Sequence, residues 1–266
     1  MRPVIVVLGC GDIGSAVAVD VFRAGANVVV CDLPRPTHAR RGMSFIDAFF
    51  DGHGALEGIE ARFCPDIATV CATLKTRDAI AVAAIDENEL IGALHPDAIV
   101  DATMRRSVPA DHRAQAHRVI GLGPGFAPGV NCHLAVETQW GTTLGNVLRD
   151  RSTAERTGGP PLLGGAGRER FVATPDAGLW RTSASIGARI HAGDVVGTLD
   201  GRPLRAPLDG SLRGLTRDGV AVAAGEGVIE VDPRDPPHIF GLGERARVVA
   251  RGVCSGLGLA PREDER

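Results

Sequence analysis

The chain has 266 residues, 44% hydrophobic and 23% charged, with a formal net charge of −3. That is enough length for two modest domains, and the slight acidic excess gives no general attraction to nucleic acid or anionic lipid. No apolar run reaches the ~18 residues of a membrane span, and the first strand starts too close to Met1 to leave room for a signal peptide, so a cytoplasmic protein with neither a nucleic-acid nor a membrane partner is expected. The six cysteines, Cys10, Cys31, Cys64, Cys71, Cys132 and Cys254, form no C-x-x-C pair, which fits free thiols in a reducing compartment.

In chain order, Val4 to Leu8 is a continuous apolar run, as expected of a strand buried on both faces. Gly9, Gly11 and Gly14 follow in G-x-G-x-x-G register, and Ile13, Val17 and Val21 recur at helical spacing up to Gly25. Asn27 to Cys31 makes a second buried strand, with Asp32 at its carboxyl end. This order of strand, turn, helix, strand and acid is the setting of a dinucleotide fingerprint. In that reading Gly9 makes the tight turn, Gly11 lets a pyrophosphate approach the backbone, and Gly14 lets the helix pack close to the sheet. The helix N-terminus holds the phosphates. Asp32 accepts the ribose hydroxyls of NAD, and Arg35 nearby is placed to meet the 2′-phosphate of NADP. The alternative is a turn of the same shape kept for packing alone. Cys10 inside the turn is either a thiol activated by the helix N-terminus or a small residue that fits a tight loop.

A polar stretch, Pro34 to Gly58, contains a short mixed segment from Met43 to Phe50. Ile67 to Leu74 has helical spacing, Ala79 to Ile85 reads as a strand, Glu87 to Leu94 as a short helix, and Ala98 to Met104 and His117 to Leu122 as strands. The alternation predicts an α/β fold with a Rossmann-like, doubly wound parallel sheet over residues 1–150. Right-handed connections then place the strand carboxyl ends along one edge, where ligands sit. Three loops are expected there: the glycine turn, Asp101-Ala-Thr-Met-Arg105-Arg106, and Gly121-Leu-Gly123-Pro-Gly125-Phe126. Asp101, Arg105, Gly123 and Gly125 are the substrate-facing candidates, with Arg105 or Arg106 as an anion contact. The alternative is a glycine- and proline-rich exit from the sheet with solvated arginines. Asn131, His133 and Glu137 follow on one short segment. If it is helical, His133 and Glu137 share a face and form a candidate acid–base pair, against a purely structural pair. Cys132 beside His133 lacks further ligands at recognisable spacing, and no metal is expected there.

Ser152 to Ala166 is rich in breakers, and residues 151–184 are expected to be linker and connecting segment. From about Ser185 the pattern becomes short strands broken by glycines. Ala192-Gly193-Asp194 and Ala224-Gly225-Glu226 each precede apolar strand residues, Val195-Val196 and Val228-Ile229. Two similar β layers resemble a small barrel-sandwich hybrid, the architecture of biotinyl and lipoyl carriers, over residues 185–266 with a C-terminal extension. Carriers attach their cofactor to a hairpin lysine. The corresponding turn, Asp200-Gly201-Arg202-Pro203, has none, the lone lysine of the chain is Lys75, and an arginine guanidinium cannot form the amide. Neither biotin nor lipoate is expected, and a docking or dimerisation platform is.

Several blocks together resemble one family: the glycine turn with Asp12, the Arg40-Arg41 pair before F-I-D-A-F-F-D-G, V-D-A-T-M-R-R, I-G-L-G-P-G-F-A-P-G-V-N-C-H-L-A-V-E-T, T-G-G-P, and a closing segment ending V-D-P-R. The chain resembles the selenium-dependent molybdenum hydroxylase accessory family, partners of xanthine dehydrogenase-type enzymes, from Val4 to Leu257, and G-L-G-P-G-F is the most specific block. The resemblance implies a maturation role, with NAD(P) or a molybdopterin dinucleotide as ligand and a molybdenum hydroxylase subunit or a cofactor-handling protein as partner. Gly9, Gly11, Asp12, Gly14 and Asp32 would hold the nucleotide, and Arg105, Gly123 and Gly125 would face its far end. Two other functions stay open. One is an NAD(P)-dependent oxidoreductase with His133 as proton donor; the absence of any tyrosine removes the Tyr–Lys pair of short-chain dehydrogenases. The other is a non-enzymatic scaffold. A homodimer is the default assembly, since symmetric dimers are the commonest.

Overall fold

A computed structural model describes residues 2–104, 109–155 and 158–260. The chain opens with β1 (Val4–Leu8), α1 (Asp12–Arg23) and β2 (Asn27–Cys31). A loop and a 3-10 turn at Arg41–Met43 lead to α2 (Ala48–Asp51), the hairpin β3 (His53–Leu56) and β4 (Ile59–Cys64), α3 (Ile67–Thr76), β5 (Ile80–Ala83) and α4 (Glu87–Leu94). Then come β6 (Ala98–Asp101), β7 (Arg118–Leu122), β8 (Leu134–Val136) and β9 (Val147–Leu148). Local chemistry sets the helix starts: the Asp66 carboxylate accepts the Thr69 N–H at the head of α3, and Asp86 accepts from Asn88 and Glu89 at the head of α4.

These strands form one nine-stranded sheet in the order β3-β4-β5-β2-β1-β6-β7-β8-β9. The pairings from β4 to β8 are parallel, and β3 and β9 are antiparallel edges. The order reverses between β1 and β6, the switch point at which open α/β sheets bind ligands. Both faces are covered. Val17 and Val21 of α1 share a core with Ile5, Val7 and Val30, while Val70 of α3 and Leu90 of α4 share another with Val6, Leu8 and Val29. A strand buried on both faces reads as an unbroken apolar run, which is why β1 and β2 were legible.

The second half contains β10 (Phe171–Ala173), β11 (Gly178–Arg181), β12 (Arg189–Ile190), β13 (Val195–Leu199), β14 (Arg202–Arg205), β15 (Gly210–Leu215), β16 (Val220–Val222) and β17 (Gly227–Asp232), then α5 (Glu244–Leu257). Two four-stranded antiparallel sheets result, β10-β17-β15-β12 and β14-β13-β11-β16. They share one core, with Trp180, Leu199, Leu212, Leu215, Val228 and Val231 among its members. The fold is therefore mixed α/β, a mostly parallel sheet joined to two antiparallel sheets. No helix among the described residues is long and apolar enough to cross a membrane.

Three expectations need correction. β10 and β11 lie inside 151–184, the expected linker; β10 pairs with β17, and β11 with β13 and β16. Segments this short carry too little periodicity to be read without their partners. The C-terminal extension expected within 185–266 joins the parallel sheet rather than the antiparallel ones, because α5 buries Val249, Ala250, Val253 and Cys254 in the same core as α1. Finally, β8 is a strand paired parallel to β7, not the helix on which a His133–Glu137 pair depended.

Candidate functional site

A cavity of about 1090 Å³ lies at the carboxyl edge of the parallel strands. Asp12 at the start of α1, Met104 after β6, Pro124 after β7 and Thr138 to Trp140 after β8 form one side. The other side is built from Ala154, Glu155, Gly158 to Leu163, Arg170, Phe171, Arg213, Arg234 and the start of α5. Among the described residues its lining carries six arginines, Arg40, Arg168, Arg170, Arg213, Arg234 and Arg245, and three carboxylates, Asp12, Glu155 and Glu244.

Behind this lining, three guanidinium groups converge on Glu230 of β17, which is 2% exposed. Arg40 Nε donates to Oε2 at 2.7 Å, Arg170 Nη1 donates to Oε1 at 2.5 Å, and Arg213 Nη1 stands 3.6 Å from Oε1. Arg40 also donates to Asp12 Oδ2 at 2.7 Å and so ties the head of α1 to the antiparallel sheets. Burial works against the charge on both members of that pair, but their attraction prevails: Asp12 is held below the usual carboxylate range and Arg40 above its ordinary value. Arg170 is fully buried and holds the connecting segment through the carbonyls of Pro161 at 3.1 Å and Ala166 at 3.0 Å. Arg234 closes on Asp232 with Nε 2.8 Å from Oδ1.

The fingerprint residues gather at the neighbouring part of the same edge, but of them only Asp12 reaches the cavity. Gly9 has φ +97°, and a Cβ on Gly14 would stand 2.0 Å from the Gly9 carbonyl oxygen, so both are fixed by the tight turn. The expected ligand groups, however, are supplied by the protein itself. Asp32 accepts the Cys10 N–H at 2.6 Å, the Leu33 N–H at 2.7 Å and a contact from His38 Nε2 at 3.2 Å. Burial would raise Asp32, but His38 and these N–H groups hold it below its ordinary value. The His38 ring lies 3.4 Å from where a Gly11 Cβ would be, on the face expected to admit a pyrophosphate. Asp12 Oδ1 accepts the Ile13 N–H at 3.0 Å at the head of α1. Arg35 donates to the Gly219 carbonyl at 3.1 Å, away from Asp32. Burial, then the Asp32 charge, push the Cys10 thiol well up, so it is no activated nucleophile.

The remaining candidates have structural partners. Asp101 is buried and accepts the Thr103 N–H at 3.0 Å and its hydroxyl at 2.7 Å. Arg105 and Arg106 lie outside the described residues. Gly123 and Gly125 do not line the cavity; Pro124 between them does. The glycine block instead lets Phe126 fold back, since a Cβ on Gly121 would stand 2.0 Å from its ring. Asn131 staples that loop, accepting the Ala127 N–H and donating to the Gly125 carbonyl, each at 2.9 Å. His133 and Glu137 stand on either side of β8, roughly 13 Å apart along an extended chain, so no acid–base pair forms. The exposed His133 accepts the Val119 N–H on Nδ1 at 2.9 Å. Glu137 is buried and accepts three backbone N–H groups, those of Thr138, Gln139 and Ala154, each at 2.8 Å. Burial pushes the Cys132 thiol up to about 11. Among the described residues no three His, Cys, Asp or Glu side chains come together in a way that could hold a metal.

The residues that shape the cavity, Arg40, Arg170, Arg213 and Glu230, were not candidates from sequence, apart from Arg40 as part of a family block. One usable signal existed. Leu212 and Leu215 in G-S-L-R-G-L are three apart, which breaks the alternation of a strand and marks a bulge at Arg213 or Gly214.

No sequence-family model matches the chain. It is 34% identical over 254 residues to the uncharacterized protein YqeB of Escherichia coli (strain K12). The alignment covers 95% of this chain and 47% of that relative, so the chain spans about half the relative's length. Two solved structures align weakly. An aspartoacylase family protein from Mesorhizobium loti is 11% identical with a TM-score of 0.27, over 88% of this chain and 86% of that one. The product-bound ectoine utilization protein EutE (DoeB) from Ruegeria pomeroyi is 10% identical with a TM-score of 0.27, over 86% and 85% of the two chains. Likenesses this slight carry no argument about fold or function.

Proposed function

We propose that the chain is an accessory protein for a xanthine dehydrogenase-like molybdenum hydroxylase, and that it binds a dinucleotide, such as NAD(P) or the dinucleotide form of the molybdenum cofactor, as cargo. The observation that carries the reading is the arginine-lined cavity at the switch-point edge of the parallel sheet. Its volume exceeds the ~300–1,000 Å³ of ordinary small-molecule pockets, and guanidinium groups are the natural partners of phosphates. Arg40, Arg213 and Arg245 would hold the charged centre of such a ligand, and Trp140, 42% exposed at the rim, would meet a flat ring. The molybdenum assignment rests on the sequence blocks named above. In the same reading the two antiparallel sheets are a barrel-sandwich hybrid without an attachment lysine: the Ala-Gly-acid turns open β13 in one sheet and β17 in the other, as a duplicated layer would.

Because Asp32 already accepts the Cys10 and Leu33 N–H groups and meets His38, and Asp12 accepts the Ile13 N–H at the head of α1, this reading puts the ligand in the cavity beside the turn rather than across it. This weighs against hydride transfer at the turn, and His133 does not line the cavity. The test is thermal unfolding against NAD, NADP, CTP, GTP, CMP and GMP, with tryptophan fluorescence as a second readout. Trp180 is buried in the antiparallel core, so a ligand-dependent change lost in Trp140→Phe reports the cavity. A ligand at ~100 times its Kd stabilises by ~2.7 kcal/mol. A shift with cytidine or guanosine nucleotides supports cofactor handling, and one with NAD(P) alone, abolished in Asp32→Ala, supports an oxidoreductase. No shift with any of them defeats the nucleotide reading and leaves a scaffold.

A further inference from the structure

We infer that the bulge in β15 and the uncapped start of α5 together build a phosphate or pyrophosphate subsite at Arg213. The inference rests on the cavity as a ligand site and names the group that its inner end takes. The β15–β17 ladder pairs Leu212 with Val231 but Gly214 with Glu230, so Arg213 is the extra residue of a β-bulge. Bulges re-aim side chains and recur beside functional sites. Here the bulge keeps Leu212 and Leu215 both in the sandwich core and turns Arg213 into the cavity. Gly214 makes this arrangement possible: a Cβ there would stand 2.9 Å from the Glu230 Cβ and 3.3 Å from the Ala39 Cβ.

Arg213 is 8% exposed, yet its hydrogen-bonding capacity is mostly unused. Nε has no partner among the described residues. Among the described residues Nη2 reaches only the Met43 sulfur at 3.5 Å, and Nη1 stands 3.6 Å from a Glu230 oxygen that Arg170 already holds at 2.5 Å. Burial and then the neighbouring Arg40 charge press its pKa below the ordinary arginine value, so the surroundings leave its charge under-compensated. Leaving such a group buried is costly, and an anion removes that cost. A second donor set converges on the same point. Helix α5 starts after Gly243, which supplies no side-chain cap, and a Cβ on Gly243 would lie 4.0 Å from Arg213 Nη2. The head of a helix without a side-chain cap, beside a planar guanidinium fork, suits a phosphate, which takes both.

The experiment is calorimetric titration of the full chain with inorganic phosphate, inorganic pyrophosphate, and the nucleotides above. The variants are Arg213→Met, Gly243→Asp and, as a remote control, Arg62→Gln, whose side chain pairs with Asp78 on the surface. Asp at position 243 caps α5 and sets its own carboxylate beside Arg213, so this variant folds at least as well while competing with the anion. Wild-type protein is expected to bind pyrophosphate. Both site variants are expected to lose at least about tenfold in affinity and the control to lose nothing. Absence of pyrophosphate binding by wild type, or unchanged affinity in Gly243→Asp, overturns the subsite. Pyrophosphate binding lost in both variants, with no nucleotide bound at all, keeps the subsite and defeats the dinucleotide reading. Nucleotide binding unchanged in both variants does the reverse.

Discussion

Glu230→Gln removes the one carboxylate on which Arg40, Arg170 and Arg213 converge, while keeping its shape. Glu230 is 2% exposed and Arg170 fully buried, so the pair has no water to fall back on. Breaking a buried pair by removing one partner costs about 3–5 kcal/mol, because the surviving charge stays buried and uncompensated. For a chain near this size each kcal/mol moves the midpoint by roughly 2–4 °C, which puts the expected fall in Tm at about 6–20 °C. Circular dichroism melts of wild type and Glu230→Gln measure it directly. The same variant gathers three guanidinium groups around a neutral amide, so pyrophosphate is expected to restore more of its Tm than it adds to wild type. An exposed ion pair contributes only about 0–1 kcal/mol. A fall of less than about 2 °C in Tm would show that the cluster is solvated and refute its role as the buried joint between the two halves.

Gly14→Ala should destabilise by at least about 1–3 kcal/mol, the usual cost of overpacking, since its Cβ meets a backbone oxygen at 2.0 Å; a denaturant midpoint equal to wild type would contradict the tight turn. His38 has a folded pKa raised from 6.5: burial lowers it, but the Asp32 hydrogen bond and charge, with Asp12 and Glu226, outweigh that. Its contribution is therefore full below 6.5 and lost as pH rises through the raised value. Urea melts across neutral pH should show this loss in wild type and a flatter profile in His38→Gln; equal slopes would remove the Asp32–His38 pairing from the account. Of the six cysteines five are buried and Cys71 is partly exposed. A thiol reagent should label Cys71 first in the native protein, with Cys71→Ser abolishing the early phase, and rapid labelling of Cys10 would contradict its burial.

The opening βαβ unit and the short helix at Glu87–Leu94 were legible because their causes are local: apolar strands buried on both faces, a glycine turn, and an aspartate cap ahead of the helix. The A-G-D and A-G-E turns likewise announced strands in the second half. At the glycine turn the local pattern was only part of the arrangement. Asp32 is met there by the Cys10 and Leu33 N–H groups and by His38, whose ring also stands over Gly11, and only the course of the 32–43 segment back over the turn reveals this. Helical spacing at His133 and Glu137 was a hypothesis that pairing of β8 with β7 overruled.

The sequence by itself determined an α/β fold with a parallel sheet, a glycine-rich second half of short strands, and a chain whose positive charge is almost wholly arginine. The tertiary structure alone decided where that charge goes. Arg40 and Glu230 are 190 positions apart and Arg170 and Glu230 are 60 apart, and their meeting depends on β17 lying against the segment that follows β2. Likewise α5 carries its own amphipathic repeat, but that it packs on α1 and delivers its N-terminus to Arg213 follows from the whole chain's path. Periodicity records which face of an element is buried. It holds no record of which distant element buries it, and the candidate site is built almost entirely from such distant meetings.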